Sequence, residues 1–317
     1  MLPAWDNGGI ASTLDWMKPL PVRALALIAA VALLGALLGA CADNAPNENA
    51  GSPGASFNED FTDVEAYPVF VSSEIVVGRN RLLVGLLSGE NDAPIASPDI
   101  DMAISFFDLE KSARTPVATE RMDFVWTQKP RAGLYVEEVT FDSAGRWGAE
   151  VSLNGEGVDE TVRANFDVAE QASTPAVGER PPAVDTPTAS DVERLGAIST
   201  DSHPDPRFYR MSIADALRSG RPSVITFATP KFCESATCGP TLDIVKRVSD
   251  GFPDMNFVHV EPYKLPIRAE RKVVPAALRW GLPTEPWVFV VGSDGRVAAK
   301  FEGIVGAPEL RRALNAL

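Results

Sequence analysis

Residues 223–240 read Ser-Val-Ile-Thr-Phe-Ala-Thr-Pro-Lys-Phe-Cys-Glu-Ser-Ala-Thr-Cys-Gly-Pro. The run Ser223–Thr229 is short, apolar and β-branched, which suits a strand buried on both faces. Cys233 and Cys238 follow at once, and then Leu242, Val245 and Val248 recur at a three-residue spacing that predicts a helix closed by Gly251-Phe252-Pro253. Thiol chemistry can use this order of strand, cysteine turn and helix. A cysteine at a helix N-terminus meets unpaired N–H groups and the positive end of the helix dipole, and both favour thiolate. In a regular helix, residues five apart are rotated by about 140° and lie roughly 8 Å apart, whereas disulfide Cα atoms lie within about 7 Å. Cys233 and Cys238 can therefore bond only if residues 234–237 form a loop ahead of a helix that begins near Gly239-Pro240.

Upstream, Ser212-Ile213-Ala214-Asp215 opens a helix with a hydroxyl cap and an acid three residues on, and Gly220 supplies the stop. Downstream, the pattern predicts a strand over Met255–Glu261 and a helical stretch ending near Trp280. Pro286 follows, ahead of a strand through Val290. After the turn Gly292-Ser293-Asp294-Gly295 come a strand over Arg296–Phe301 and a last helix from Pro308 to Leu317. This order, over Arg207 to Leu317, resembles the second half of a thioredoxin. The resemblance implies an α/β domain with a mixed central sheet flanked by helices, and it puts Pro286 at the family's cis-proline. It also implies thiol–disulfide exchange, in which the Cys233 thiolate attacks a partner disulfide and Cys238 resolves it. Two departures stand out. The family's W-C-x-x-C is F-C-x-x-x-x-C here, with Phe232 for the tryptophan. Thr226 stands where the family often keeps a buried acid, leaving Glu285 or Glu234 as substitutes and Lys231 as the cation able to favour a thiolate.

The half before this reads as strands. Trp147, Ala149, Val151 and Leu153 alternate with polar or small residues, as do Val162, Ala164, Phe166 and Val168. Further runs at Val69–Val77, Leu82–Leu87, Met102–Phe107, Arg121–Trp126 and Leu134–Phe141 bring the count to about seven, with turns between them at Gly89–Asp92 and Asp142–Gly145. That spacing predicts an all-β, immunoglobulin-like sandwich over residues 67–170. The stretch from Ala132-Gly133-Leu134-Tyr135 through Phe141-Asp142-Ser143-Ala144-Gly145-Arg146-Trp147 resembles the hairpin of FixH/YtkA-type extracytoplasmic immunoglobulin-like domains. Tyr135 and Trp147 read as core residues, and the domain as one that binds or docks a protein the sequence does not name. A Pro-rich linker, residues 171–206, separates it from the thioredoxin-like domain, residues 207–317.

From Ala24 to Ala40 every residue is Ala, Leu, Ile, Val or Gly, a run suited to a signal peptide and short for a permanent span. Leu38-Gly39-Ala40-Cys41 resembles the lipobox of bacterial lipoproteins. The resemblance implies a signal peptide over residues 1–40, with Met17 as an alternative start, a lipid on Cys41, and an extracytoplasmic location on the bacterial cell membrane. Residues 41–66, rich in Asn, Gly, Pro and Ser, then form a flexible tether. The chain carries 29 Lys and Arg against 43 Asp and Glu, net -14, and this balance excludes nucleic acid as a partner. With 3 Cys and 2 His in all, a disulfide-rich scaffold is excluded too.

Three functions fit these residues. The first is exchange with protein thiols and disulfides, without a cofactor. The second is a non-catalytic binding lipoprotein stapled by a structural Cys233–Cys238 disulfide. The third is a copper-binding assembly factor using Cys233, Cys238 and His259, a set soft enough for Cu(I). His203, in the Pro-rich stretch, reads as solvated. Phosphate loops, nucleophile elbows and H-E-x-x-H are absent.

Overall fold

The computed structural model describes residues 57, 61, 63–233, 235–267 and 270–317. Ser52–Leu317 forms one compact unit. The proposed signal peptide and Cys41 lie outside the described residues, as does most of the tether. Among the described residues no helix is long and apolar enough to cross a membrane.

Seven strands come first: β1 (Ala66–Phe70), β2 (Gly78–Ser88), β3 (Asp101–Asp108), β4 (Ala118–Gln128), β5 (Ala132–Phe141), β6 (Gly145–Gly155) and β7 (Val158–Val168). They form a single antiparallel sheet in the order β1-β2-β5-β4-β3-β6-β7, which corrects the expected immunoglobulin-like sandwich. The cause lies in β4, whose first half, Ala118–Met122, pairs with β3 while its second half, Asp123–Gln128, pairs with β5. One strand thus joins what would otherwise be two sheets. The outer strands then approach each other, and Val77 N–H donates to Ala169 O while Ala169 N–H donates to Ile75 O, both at 2.9 Å. The result is a nearly closed barrel. Alternation cannot separate the two architectures, because every strand presents one apolar face in either. Leu82, Val84, Ile104, Phe106, Tyr135, Phe141, Trp147, Val151 and Phe166 fill the interior, so Tyr135 and Trp147 are core residues. The Tyr135 hydroxyl donates to Ser97 O at 2.9 Å.

The second sheet contains β8 (Ser223–Phe227), β9 (Asn256–Val260), β10 (Trp287–Val291) and β11 (Val297–Glu302) in the order β11-β10-β8-β9. β8 and β9 are parallel; β10 runs antiparallel to both β8 and β11. α1 (Ile213–Arg218), α2 (Cys238–Ser249), α3 (Pro275–Arg279) and α4 (Ala307–Asn315) pack around it. Every residue of β8, β9 and β10 is buried. Val258, Val260, Phe227 and Phe289 meet Ile213, Ala276 and Trp280 on one face. Val224, Phe257, Val288 and Val290 meet Val245, Val248, Leu310 and Leu314 on the other.

Helices are shorter than the sequence predicts. Pro262, Pro266 and Pro275 confine the stretch before Trp280 to the five residues of α3, since proline cannot sit inside a helix without removing a hydrogen bond and clashing. Strand makes up 37% of the described residues and helix 17%. The molecule is predominantly β, a barrel-like sheet plus a second sheet. The expected pairing of an all-β sandwich with an α/β thioredoxin-like domain is corrected accordingly.

The Pro-rich stretch lies along the second sheet. Gly178 N–H donates to Val297 O and Val297 N–H to Glu179 O, both at 2.8 Å, and the Trp280 indole donates to Pro182 O at 3.0 Å. Val184 is buried in the core beneath α1. The two sheets are braced by charge. Lys300 Nζ lies 2.5 Å from Glu74 Oε1, and Glu74 also accepts from the backbone and hydroxyls of Ser173 and Thr174. Arg81 donates to Glu309, to Ile304 O at 2.8 Å and to Glu302 O at 3.1 Å.

A candidate disulfide site at the carboxyl ends of two parallel strands

The chain leaves β8 through Ala228 and Thr229, turns, and enters α2 at Cys238. Ala236 has φ of 56°, the left-handed conformation that lets so short a turn reverse without a glycine. α2 starts at Cys238 itself, slightly earlier than its sequence predicts, with Pro240 tolerated in the first turn. Cys233 and Cys238 are bonded, their Cα atoms 6.0 Å apart, within the ordinary disulfide range. Residues 235–237 form a turn ahead of α2, as this bond requires, and Glu234 lies outside the described residues.

The two sulfurs differ in their surroundings. Cys238 is 0% exposed and packs on Ala228 and Leu242, whereas Cys233 is only partly buried at the rim of that cluster. Polar donors collect at Cys233: the Cys238 N–H donates to its Sγ at 3.3 Å, and the Ser235 hydroxyl lies 3.3 Å away. Lys231 Nζ stands over the Phe232 ring, 5.6 Å from its centroid.

Ala228 is the centre of the arrangement. In the β8–β10 register Trp287 faces Phe227, which puts Pro286 level with Ala228 on one side. In the β8–β9 register Val260 faces Phe227, which puts Glu261 level with Ala228 on the other, and Ala228 N–H donates to Val260 O at 3.2 Å. The Glu285–Pro286 peptide is cis. Pro286 O accepts from Gly303 N–H at 2.8 Å, and Gly303 O accepts from the Thr241 hydroxyl of α2 at 3.1 Å. The fold thus puts the cysteine turn and Pro286 at one end of the two central strands of the second sheet.

His259 lies deeper on the same face and is fully used there. One ring nitrogen, Nε2, is 2.9 Å from Ala228 O, which can only accept, so Nε2 carries the proton. Nδ1 lies 2.7 Å from the Tyr209 hydroxyl, which also bonds the Ser199 hydroxyl at 2.8 Å. Burial pushes the imidazole down to about 4, so it is neutral at physiological pH, with both nitrogens occupied. His203 is exposed, its Nδ1 3.0 Å from the Ser202 hydroxyl. Thr226 is completely buried beside His259 in register, and its hydroxyl has no hydrogen-bond partner among the described residues. Among the described residues no group of three or more His, Cys, Asp or Glu is placed to hold a metal.

The residue that sequence reasoning missed is Glu261. It is 5% exposed, yet its Oε2 accepts from both the backbone N–H and the hydroxyl of Thr200 at 2.8 Å. Its Oε1 has no partner among the described residues. Burial raises its pKa above the ordinary value; hydrogen bonds from Thr229 and Thr200 partly oppose this and the Glu285 charge adds to it. One signal was available: Glu261 closes the run 255–261 that reads as a buried strand, where only apolar residues or satisfied polar ones are tolerated. Glu285, the substitute the sequence offered, accepts from the Tyr263 hydroxyl at 3.0 Å.

No protein-family model matches this chain, and no curated protein matches it. Among solved structures, a crystal structure described as a "putative glycoside hydrolase" from Bacteroides vulgatus is similar at 9% identity and a TM-score of 0.23. The match covers 47% of this chain and 26% of that one, and at that level it transfers neither fold nor activity. With no family match and a predominantly β architecture, the resemblances to thioredoxin and to FixH/YtkA domains are both set aside. The cysteine site stands on its own geometry.

Proposed function

We propose that this protein exchanges disulfides with protein thiols through Cys233 and Cys238, outside the cytoplasm and held to the membrane by a lipid on Cys41. The observation that carries the reading is the unlike surroundings of the two sulfurs. In the reduced protein, thiolate on Cys233 is favoured by the first N–H of α2 and by the Ser235 hydroxyl. That thiolate attacks a partner disulfide, forming a bond from Cys233 to one partner sulfur and releasing the other as thiolate. Cys238 then attacks Cys233 Sγ, closing the intramolecular disulfide and releasing the second partner thiol. The two electrons pass from the cysteine pair to the partner, and the reverse sequence oxidises a partner dithiol. Burial of Cys238 directs every intermolecular bond to Cys233.

The lipid anchor is supported by Leu38-Gly39-Ala40-Cys41 after an apolar run. The copper reading is weaker, because both nitrogens of His259 already have partners.

The test is alkylation and mass shift of the full chain across thiol redox buffers. Exchange predicts a reversible two-electron transition between about -120 and -270 mV. A pair that stays oxidised below about -300 mV is a structural staple, and the proposal then fails.

A further inference from the structure

Arg81 sits in strand β2 of the barrel, yet its guanidinium points into the second sheet. Nε and Nη2 donate to the Glu309 carboxylate, Nη2 also to Ile304 O at 2.8 Å, and Nη1 to Glu302 O at 3.1 Å. The side chain is 9% exposed and lies over the Phe301 ring, 5.8 Å from its centroid. A planar fork that satisfies two backbone carbonyls and a carboxylate at once fixes the backbone it holds.

That backbone is shared with the cysteine site. Gly303, between the two carbonyls that Arg81 holds, donates its N–H to Pro286 O at 2.8 Å, and its own O accepts from the Thr241 hydroxyl at 3.1 Å. Thr241 is completely buried, one turn after Cys238 on the same face of α2. The barrel closes the other side of Gly303, where a Cβ would lie 3.3 Å from Leu83 Cδ1 of β2. A second tie runs beside the first: the Glu302 carboxylate accepts from Ser73 N–H of the β1–β2 connection at 3.0 Å and from the hydroxyl of Thr284, two residues before Pro286, at 2.8 Å. We propose that Arg81 is a positioning residue for the cysteine site, holding the 302–304 turn so that Thr241 fixes the first turn of α2 and the Cys238 N–H is aimed at Cys233 Sγ. This role rests on the exchange reading and makes the barrel part of the support of the reactive sulfur.

The direction of the effect follows from the bond being aimed. The Cys238 N–H lies 3.3 Å from Cys233 Sγ, and a hydrogen bond to a charged acceptor is roughly twice as strong as one to a neutral acceptor. Loosening the first turn of α2 therefore costs the reduced, thiolate form more than the disulfide. Cys233 becomes less reactive at neutral pH, and the pair becomes harder to reduce. The other polar groups around the turn keep their partners when Arg81 or Thr241 is changed: Lys231 stands over Phe232, Glu261 is held by Thr200, Glu285 by Tyr263, and His259 by Ala228 O and Tyr209.

The experiment is alkylation of the reduced full chain by iodoacetamide across pH, followed at Cys233 by peptide mass, in the wild type, Arg81→Met, Thr241→Val and the double variant. Each single substitution should slow the reaction at neutral pH about two- to tenfold, the range of a partly lost helix-terminus interaction, and move the midpoint of the pH profile upward. The double variant should lose no more than the larger single loss, because both act through one turn. Glu74→Ala, which breaks the neighbouring brace and leaves the contacts of Arg81 in place, should keep the wild-type profile. A folded Arg81→Met with wild-type reactivity overturns the role of Arg81 and leaves exchange intact, and an equal loss in Glu74→Ala overturns it as well. Should Arg81→Met fail to fold, Thr241→Val decides, and an unchanged profile there counts against the proposal. A wild-type Cys233 that reacts no faster than in the urea-denatured chain overturns the exchange reading too.

Discussion

At the scale of single residues, the disulfide is open from one side, Cys233 being partly exposed and Cys238 enclosed. Replacing Cys238 by Ser should leave Cys233 unable to complete the exchange, so a glutathione adduct on Cys233 accumulates and is read directly by intact mass. Replacing Cys233 by Ser should yield little adduct, because Cys238 is enclosed by Ala228 and Leu242. Equal adduct on both variants would contradict the asymmetry. Tyr209→Phe tests the buried network beneath the site. It removes the hydroxyl that bonds both His259 Nδ1 and Ser199, and an unsatisfied buried polar atom costs about 1–3 kcal/mol. Chemical denaturation should report a loss in that range. The cysteines, Pro286 and the helix after them could be read from the sequence. Glu261 was legible only as an acid closing an apolar run; that it lies across a strand pair from Ala228 was not, because no local pattern records which strands are neighbours.

At the scale of elements, most strands and the caps were legible because their causes are local. Alternation located β6 and β7 and apolar runs located β2 through β5, and the box of Ser212 with Asp215 opens α1 as its sequence predicts, the Ser212 hydroxyl accepting from Asp215 N–H at 3.1 Å. The barrel was not legible, since closure depends on β4 changing partners halfway along. Nor was the course of the Pro-rich stretch, whose lack of periodicity says nothing of what it lies against. Its placement is checked at the end of α3. Gly281 has φ of 61°, and a Cβ there would come within 2.0 Å of Ser173 O. Gly281→Ala should therefore destabilise by more than the ~1 kcal/mol of a left-handed non-glycine residue alone, and a change below that would mean the Pro-rich backbone is held loosely.

At the scale of the whole molecule, buried carboxylates divide into two groups with opposite effects on stability. Burial alone would raise Glu74 and Asp201, but Lys300 with Thr174, and Lys246 with the His203 N–H, outweigh it and hold both below their ordinary values. Their stabilisation is complete above the unfolded value of about 4 and is lost as pH falls through the lower folded value. Glu261 and Glu302 are raised by burial, so the folded state keeps their protons longer and stability falls as pH rises through their folded values. Melting temperature should peak in mildly acidic solution, and Glu302→Gln should flatten the decline on the alkaline side. A steady rise from pH 5 to 8 would count against the raised pair. Glu74→Ala strands Lys300 in a mostly buried site and should cost about 3 kcal/mol, with both sheets melting in a single transition. Residue Phe57 carries a last consequence. Its ring lies on the outer face of β6, where a Cβ on Gly148 would come within 2.7 Å of it, and Asn165 donates to its carbonyl at 2.8 Å. The brace to the second sheet leaves from β2 and the β1–β2 connection, three strands away around the ring. The barrel therefore separates two attachments: Phe57, where the described chain begins, lies against β6 and β7, whereas the second sheet is tied on through β2 and Glu74.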